Sequence, residues 1–452
     1  MKELLSDSAA RSIRYLETLD ARPVFPRAAQ RARLAVLGGP LPDGSCDPAA
    51  VLELLDEVGS PATVASAGRR YFGFVTGGAL PATVAASWLA TAWDQNGFSA
   101  TMSPAVAAIE EVALGWLLDV LALPRDAAGA FVTGATMANL TALAAARRAV
   151  LARAGWNVDE DGLQGAPALR VVLGAEAHPT VKKALGLLGL GRASALVVPC
   201  DEQGRMRADS LPAFAGPTIV CIQAGNVNSG AFDPAAEICA AAHAAGAWVH
   251  VDGAFGLWAR AAPSRAHLAV GVADADSWAT DAHKWLNVPY DSGLAFVRDA
   301  AVLRGAMSVA APYLPHGAAR EPGDFTPEAS RRARAVEVWA ALRALGRSGI
   351  ADLVERTCRH ATRFADGLRD AGAEVLNDVV LNQVVVSFGD EARNRAVLAR
   401  IAEDGTCWCG PTVWRGRTAT RISVSSWATT AADVALSLAA ILRAAGLNQG
   451  AR

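Results

Sequence analysis

The stretch "TIVCIQAGNVNSGAFDPAAEICAAAHAAGAWVHVDG" (Thr218–Gly253) contains a complete strand–helix–strand pattern. Its two ends, "TIVCIQAG" and "AWVHVDG", are short apolar runs with the β-branched and aromatic residues of buried strands. The segment "PAAEICAAAHAAG" between them is rich in alanine, the strongest helix former. Because parallel strands need a crossover of about a dozen residues or more, usually a helix, this stretch predicts a β-α-β unit.

Five further β-rich runs lie on either side of this unit, and longer Ala- and Leu-rich segments such as "ATMANLTALAAARRAVLARAG" separate several of them. The runs are "GAFVTG", "LRVVLG", "ALVVP", "SWATD" and "GLAFVR". We therefore predict an α/β protein with a mostly parallel seven-stranded sheet that helices cover on both faces.

The chain is too long for one small domain, and three segments are expected. Residues 1–70 have the pattern of helices joined by loops, residues 71–340 form the large sheet domain, and residues 341–452 form a smaller C-terminal α+β domain. Residues 311–330 are polar, rich in Pro and Gly and long for a connection, which favours a functional loop.

The composition excludes several classes of protein. Hydrophobic residues make up 52% and charged residues 19% of the 452 residues, so a large buried core is expected. The net charge is −2 without a basic run, which argues against a nucleic-acid or anionic-membrane partner. No apolar segment has the length of a secretory signal or a membrane span, and the seven cysteines are scattered, so we expect a cytoplasmic protein with free thiols.

Two candidate catalytic residues follow predicted strands. Asp252 in "HVDGAFG" ends a strand, at the edge of a parallel sheet where ligands bind, although a helix-capping aspartate is the alternative. Lys284 in "TDAHKW" is one of four lysines in a chain that otherwise uses arginine. Because a guanidinium cannot form a Schiff base, this usage favours a reactive amine over a solvated surface lysine.

Two further motifs complete a possible cofactor site. "VTGATMANLTAL" (Val132–Leu143) has the pattern of a strand, a turn and a helix, so the N–H groups of Ala135 and Thr136 would form an anion site. His178 follows another predicted strand. An anion site, an aromatic ring, an aspartate and a lysine are the parts that hold pyridoxal phosphate (PLP). No cluster of His, Cys and Glu accompanies them, so no metal is expected.

The sequence resembles the fold-type-I PLP enzymes, specifically the group II amino-acid decarboxylases. "HVDGAFG" is similar to the family's HVDAA motif, and "DAHKW" to its N-P-H-K-W motif. "GNVNSGAFDP" is similar to its G-T-T-x-x-G-x-x-D turn, and "GFSATMSPAVAAIE" to its segment ending in S-P-x-x-x-x-x-E. The likeness extends over nearly the whole chain.

The resemblance implies decarboxylation of an L-amino acid. Lys284 would form a Schiff base with PLP, Asp252 would pair with the ring nitrogen and His178 would stack on the ring, with a quinonoid intermediate. The implied cofactor-binding residues are Gly134, Ala135, Thr136, His178, Asn226, Asn228, Asp252, Ala254, Ser277, His283 and Lys284. A homodimer with active sites at the subunit interface is also implied.

Two positions depart from the family pattern near the cofactor. Asp281 stands where the family often has Asn, and because a carboxylate repels phosphate we expect it to turn away, with Ser277 or Thr280 contributing instead. "GNVNSG" departs from the G-T-T turn, so that Asn226 or Asn228 is expected to bond the ring hydroxyl.

The third departure concerns the loop at residues 311–330. In active decarboxylases of the family a loop tyrosine, donated across the dimer, supplies a catalytic proton. The tyrosine of this loop is Tyr313, near its start, and Phe325 lies farther along. Relatives with phenylalanine in place of the tyrosine release an aldehyde in an oxygen-dependent reaction, so an aldehyde synthase is the alternative to Tyr313-dependent decarboxylation.

Tyr71, Phe98 and Arg421 are the candidate substrate-binding residues. The aromatic rings favour an aromatic or apolar substrate unless they simply pack the core, and the guanidinium of Arg421 suits a carboxylate unless it is an exposed arginine on an edge strand. Two other classes stay open: another fold-type-I lyase or aminotransferase, and a non-catalytic protein that has kept the fold.

Overall fold

The computed structural model describes residues 1–308 and 320–447. Its α-helices are α1 (Lys2–Glu17), α2 (Ala28–Ala32), α3 (Pro48–Leu54), α4 (Ser60–Ala62), α5 (Pro81–Trp93), α6 (Pro104–Val120), α7 (Ala135–Arg153), α8 (Val158–Asp161), α9 (Pro179–Leu187), α10 (Ala235–Ala244), α11 (Ala300–Met307), α12 (Ala335–Asp370), α13 (Glu391–Asp404) and α14 (Ala431–Ala445). Its strands are β1 (Tyr71–Phe72), β2 (Ala128–Val132), β3 (Arg170–Gly174), β4 (Leu196–Val198), β5 (Thr218–Gln223), β6 (Trp248–Asp252), β7 (Ser277–Asp281), β8 (Gly293–Val297), β9 (Glu374–Val375), β10 (Gln383–Ser387), β11 (Trp408–Trp414) and β12 (Arg417–Ser423).

The larger sheet has the strand order β2-β8-β7-β6-β5-β3-β4. Strand β8 runs antiparallel to both of its neighbours, and the remaining neighbours are parallel. The predicted α/β fold with a mostly parallel seven-stranded sheet and a smaller second sheet domain is therefore confirmed.

The β-α-β unit predicted from residues 218–253 forms β5, α10 and β6. Every residue of both strands is buried, because neighbouring strands and helices cover them on all sides. Strands β5, β6 and β7 are parallel neighbours, so they all end at one edge of the sheet. Ligands bind beyond this edge in parallel α/β sheets, and Asp252 and Asp281 are the last residues of β6 and β7.

Helix α7 forms the centre of the core on one face of this sheet. Its alanines Ala138, Ala142, Ala145 and Ala146 are fully buried in the main hydrophobic cluster. Short side chains let the helix lie close over β6, β7 and β8 without leaving voids. Since α7 follows β2 through a two-residue turn, its N-terminus is fixed at the same edge as the ends of β6 and β7.

The described chain forms two compact units. The central unit comprises Gly77–Arg359 and Asn377–Gln383 and contains the seven-stranded sheet. The terminal unit comprises Met1–Thr76, His360–Leu376 and the chain from Val384 onward. It contains most of a five-stranded sheet with the order β1-β11-β12-β10-β9. The segment boundaries near residues 70 and 340 stay a prediction.

Within the described ranges, no helix combines the length and the apolar character needed to cross a bilayer.

Candidate active site

A cavity of about 320 Å³ opens at the carboxyl ends of β5, β6 and β7. It brings together eight residues that the sequence predicted as a site, from turns far apart in the chain. They are Gly134, Ala135, Thr136, His178, Asp252, Ala254, His283 and Lys284. Seven lining residues were not among the predicted site residues: Thr133, Thr180, Gln223, Gly225, Val227, Phe255 and Asp281.

The turn before α7 lies directly on β8. A Cβ atom on Gly293 would come within 2.4 Å of the Cα of Gly134, so only glycine fits at this position. The close approach fixes the turn and points the first N–H groups of α7 into the cavity. These groups have no partner within the helix, and the helix dipole makes them an anion site.

Asp281 occupies this anion site, and the expectation that it turns away was wrong. Its Oδ1 accepts a hydrogen bond of 2.6 Å from the N–H of Ala135, and its side chain is almost fully buried. The physical reason is electrostatic. The N–H of Ala135 lies at the positive end of α7 and attracts the carboxylate into the turn.

Lys284 forms an ion pair with the same carboxylate. Its Nζ lies 3.0 Å from Oδ2 of Asp281, and its side chain is one-fifth exposed. The amine of Lys284 therefore lies in the cavity beside an anionic partner. The carboxylate of Asp281 compensates the positive charge of Lys284 in this partly buried position.

His283 is fixed from three sides. Its Nδ1 accepts a hydrogen bond from the N–H of Ser292 at 3.0 Å, and the ring of Tyr290 packs on it with 4.3 Å between centroids. Burial lowers the pKa of His283, so the neutral ring carries its proton on Nε2. That nitrogen lies 3.6 Å from Oδ1 of Asp281.

His178 is the N-cap of α9. Its Nδ1 accepts a hydrogen bond from the N–H of Thr180 at 3.3 Å and lies 2.7 Å from the Thr180 hydroxyl. These contacts fix the plane of the ring against the cavity, and they direct Nε2 away from the helix.

Asp252 is buried at the end of β6, and its Oδ1 accepts a hydrogen bond of 3.2 Å from the N–H of Ala254. Burial raises the pKa of the Asp252 carboxyl, and the positive charges of His178 and Lys284 act in the opposite direction. A carboxylate in this position gains most from a cationic partner inside the cavity.

Three predicted cofactor-binding residues, Ser277, Asn226 and Asn228, are not among the residues that line the cavity. The hydroxyl of Ser277 is buried against Trp248 and His250, each at 2.9 Å. Oδ1 of Asn226 accepts from the N–H groups of Asn228 and Ser229 within its own turn. Such local side-chain-to-backbone bonds are the usual role of asparagine in turns. The alternative phosphate contact, Thr280, places its hydroxyl 3.5 Å from the carbonyl oxygen of Ala254.

The predicted substrate-binding residues belong to different compact units, and none of them is among the residues that line the cavity. Phe98 lies in the central unit, where its carbonyl accepts from the N–H of Gly323. Tyr71 and Arg421 belong to the terminal unit: Tyr71 stacks on Trp408 with 5.2 Å between centroids, and burial lowers the pKa of Arg421 to about 10. Tyr313 lies outside the described residues.

The residues of the cavity fit PLP in three respects. They offer an amine for the aldehyde, a buried carboxylate for the ring nitrogen and N–H donors at a helix N-terminus for the phosphate. The one conflict is Asp281, which has to yield the N–H of Ala135 to the phosphate. Among the described residues, no group of three or more His, Cys, Asp or Glu side chains could hold a metal ion.

Comparisons with known proteins show the family to which the chain belongs. The pyridoxal-dependent decarboxylase conserved domain matches residues 65–388. The aromatic-L-amino-acid decarboxylase of Drosophila lebanonensis is 31% identical over 350 residues, which cover 73% of this chain and 86% of that protein.

Solved structures show the same fold over almost the entire chain. Oryza sativa TDC with PLP and tryptamine superposes with a TM-score of 0.90 at 25% identity, covering 98% of this chain and 97% of that one. Rhodiola rosea 4-hydroxyphenylacetaldehyde synthase superposes with a TM-score of 0.86 at 22% identity, covering 99% and 98%. The second likeness is evidence for the fold alone.

Proposed function

Because this chain belongs to the family of pyridoxal-dependent decarboxylases, we propose that it decarboxylates an aromatic L-amino acid in the cavity at the ends of β5, β6 and β7. The family makes it a PLP-dependent carboxy-lyase with the type I fold. The observation that carries the site assignment is the convergence of Lys284, Asp252, His178 and the α7 N-terminus on one cavity.

Lys284 would hold the cofactor through its amine and release it to the substrate amine. When bound, PLP withdraws electrons from the substrate α-carbon, so that the bond to the carboxylate can break. Before this, Lys284 has to leave its ion pair with Asp281, whose Oδ2 lies 3.0 Å from Nζ, and give up the ammonium proton. His283, neutral and 3.6 Å from the same carboxylate, is placed to take part in this proton movement.

Asp252 would pair with the ring nitrogen and keep it protonated. The carboxylate is buried and held by the N–H of Ala254, so it supplies a fixed negative charge with little solvent to screen it. His178 and Ala254 line the same cavity, and we assign them to the two faces of the ring. The short side chain of Ala254 leaves room for a flat ligand.

The turn that contains Gly134, Ala135 and Thr136 would hold the phosphate. The support is the position of this turn at the N-terminus of α7, which suits an anion. For the N–H of Ala135 to reach the phosphate, Asp281 has to release it. The same release frees Lys284 from its ion pair.

An aromatic substrate is supported by the Drosophila lebanonensis relative, whose name states that class. The test is product analysis with tryptophan, tyrosine, phenylalanine and glutamate. We expect carbon dioxide and the matching aromatic amine in equal amounts. Turnover of glutamate alone would overturn the substrate class.

An aldehyde synthase is the second candidate. One observation favours it: the single tyrosine of residues 311–330 lies near the start of the loop, and Phe325 lies farther along. In that reaction oxygen and water are consumed, and aldehyde, ammonia, carbon dioxide and hydrogen peroxide are released. Running the product analysis with and without oxygen separates the two, because peroxide forms in only one of them. If Tyr313→Phe converts amine output into aldehyde, Tyr313 is the proton donor.

We also propose a cytoplasmic homodimer with active sites at the subunit interface. Helix α5 exposes Trp88, Leu89 and Trp93, an apolar face that a second copy would cover. The seven cysteines, all within the described ranges, are free thiols, as in a reducing compartment. Light scattering after size exclusion is expected to give twice the chain mass of 46.7 kDa.

A further inference from the structure

Four buried polar side chains form a hydrogen-bonded row behind Asp252. Nε1 of Trp248 lies 2.9 Å from the Ser277 hydroxyl, which lies 2.9 Å from Nδ1 of His250. Nε2 of His250 lies 2.8 Å from Oδ1 of Asn139 on α7. His250, Ser277 and Asn139 are fully buried, and Trp248 is 2% exposed.

The chemistry of each group fixes which partner donates in each hydrogen bond of the row. The indole of Trp248 can only donate, so the Ser277 oxygen accepts from it. Burial lowers the pKa of His250 to about 3, so the ring is neutral. The carbonyl oxygen of Asn139 can only accept, so His250 carries its proton on Nε2, and the Ser277 hydroxyl donates to Nδ1.

His250 and Asp252 lie two positions apart on β6 and point to the same face of the sheet, so Asn139, which is bonded to His250, lies on the face that carries Asp252. The Asn139 side chain lowers the pKa of Asp252, against the larger opposite effect of burial. Yet Nδ2 of Asn139 has no hydrogen-bond partner of full geometry among the described residues. If the Asn139 amide were reversed, its oxygen would face the Asp252 carboxylate. Two hydrogen-bond acceptors would then repel each other, and the bond from His250 to Oδ1 would also be lost.

We propose that Asn139 is a positioning residue that holds Asp252 for the ring nitrogen of PLP, and that Trp248, Ser277 and His250 hold Asn139. The inference rests on the proposed role of Asp252. Asn139 lies outside the residues that line the cavity, so its effect on the cofactor passes through the carboxylate.

The test compares two cofactors that differ at one ring atom. In 1-deaza-PLP a C–H replaces the ring nitrogen, so this analogue has the aldehyde and phosphate of PLP and lacks the partner of Asp252. Apoprotein is titrated with each, and the dissociation constant is read from protein fluorescence and from the absorption of the bound cofactor.

Asn139→Leu is expected to weaken PLP binding about tenfold, the usual size for a lost bond to a charged group, and to leave 1-deaza-PLP binding within twofold. Ser277→Ala touches neither Asn139 nor Asp252, and about a threefold loss with the same selectivity is expected. Thr141→Val is the control. Thr141 is buried on the same helix, and its hydroxyl has no partner among the described residues.

Equal weakening of both cofactors by Asn139→Leu would show that the row only stabilises the fold, and no change in either would show that it does not hold Asp252. Thermal melting of each apoprotein identifies a variant that fails to fold, and Ser277→Ala then carries the test. A failure of the proposed function looks different, because the unmodified protein would then bind neither cofactor.

Discussion

Asp252 and Asp281 end neighbouring parallel strands, yet the protein uses their charges in opposite ways. Both side chains are almost fully buried. Asp252 accepts a hydrogen bond from a neutral group, the N–H of Ala254, and the neutral amide of Asn139 lowers the pKa of its carboxyl. Asp281 is paired with a cation, Lys284, and with the positive end of α7.

The difference shows what each carboxylate is available for. Neutral dipoles hold Asp252 in place and leave its charge uncompensated by a close ion pair, so a cationic ring nitrogen gains from it. The charge of Asp281 is already compensated within the protein. Under the proposed function, Asp252 is available to a cationic ring nitrogen, whereas Asp281 holds the N–H of Ala135 that the phosphate would take.

The largest expected effect comes from removing the amine that Asp281 holds. Lys284→Ala should abolish the visible absorption band of bound PLP and lower decarboxylation on the order of a thousandfold or more, because no other described lysine lines the cavity. Lys183→Ala, at an exposed position of α9, is the control. A variant Lys284→Ala that keeps the band would refute the central assignment.

Asp252→Asn tests the other side of the comparison. The amide keeps the shape and removes the charge, so we expect about a hundredfold lower kcat at saturating PLP, since an amide cannot keep the ring nitrogen protonated. Steady-state assays at several PLP concentrations separate this loss from weaker cofactor binding. Asp209→Asn, at the surface, is the control and should leave kcat unchanged. A kcat of Asp252→Asn within threefold of the wild type would contradict the assigned role.

The neutral, buried ring of His250 predicts that the free energy of unfolding falls at acid pH. Burial lowers the pKa of His250 from 6.5 to about 3, so between these pH values the unfolded chain binds a proton that the folded chain does not. Stability therefore falls as the pH falls, by about 2 kcal/mol between pH 6.5 and pH 5 for this group. Urea unfolding at the two pH values measures it. His250→Gln should remove this part of the loss, and His243→Gln, at an exposed position, should not.

The smallest expected effect is at Asp281. Here the substitution should improve cofactor binding, whereas those at Lys284 and Asp252 should impair function. Asp281→Asn should tighten PLP binding about tenfold, because the amide neither repels the phosphate nor forms an ion pair with Lys284. Titration of the apoprotein measures this constant. Weaker binding in the variant would mean that the carboxylate helps to hold the cofactor, and the contrast with Asp252 would then fail.

The sequence was sufficient for features that depend on neighbouring residues. The runs around β5 and β6 showed the parallel sheet, since their apolar pattern and the helix between them are local properties. The positions of Asp252, Lys284 and the turn at Gly134 followed from where the strands end. Eight predicted residues consequently meet in one cavity.

Features set by distant contacts could not be found in this way. Asp281 turns inward because the N-terminus of α7 lies beside it, and the two are 146 positions apart in sequence. Ser277 faces His250 because of the register between β6 and β7, in which these two residues are partners. Asn139 sits in an alanine-rich helix with no local sign of its carboxylate neighbour.

The ion pair between Lys284 and Asp281 gives this amine an anionic partner three positions away in the same chain. Under the proposed function, the phosphate of PLP would take the N–H of Ala135 and its aldehyde would take the amine of Lys284, so both partners of Asp281 would be lost together. Cofactor loading would then be an exchange of one anion for another at the N-terminus of α7.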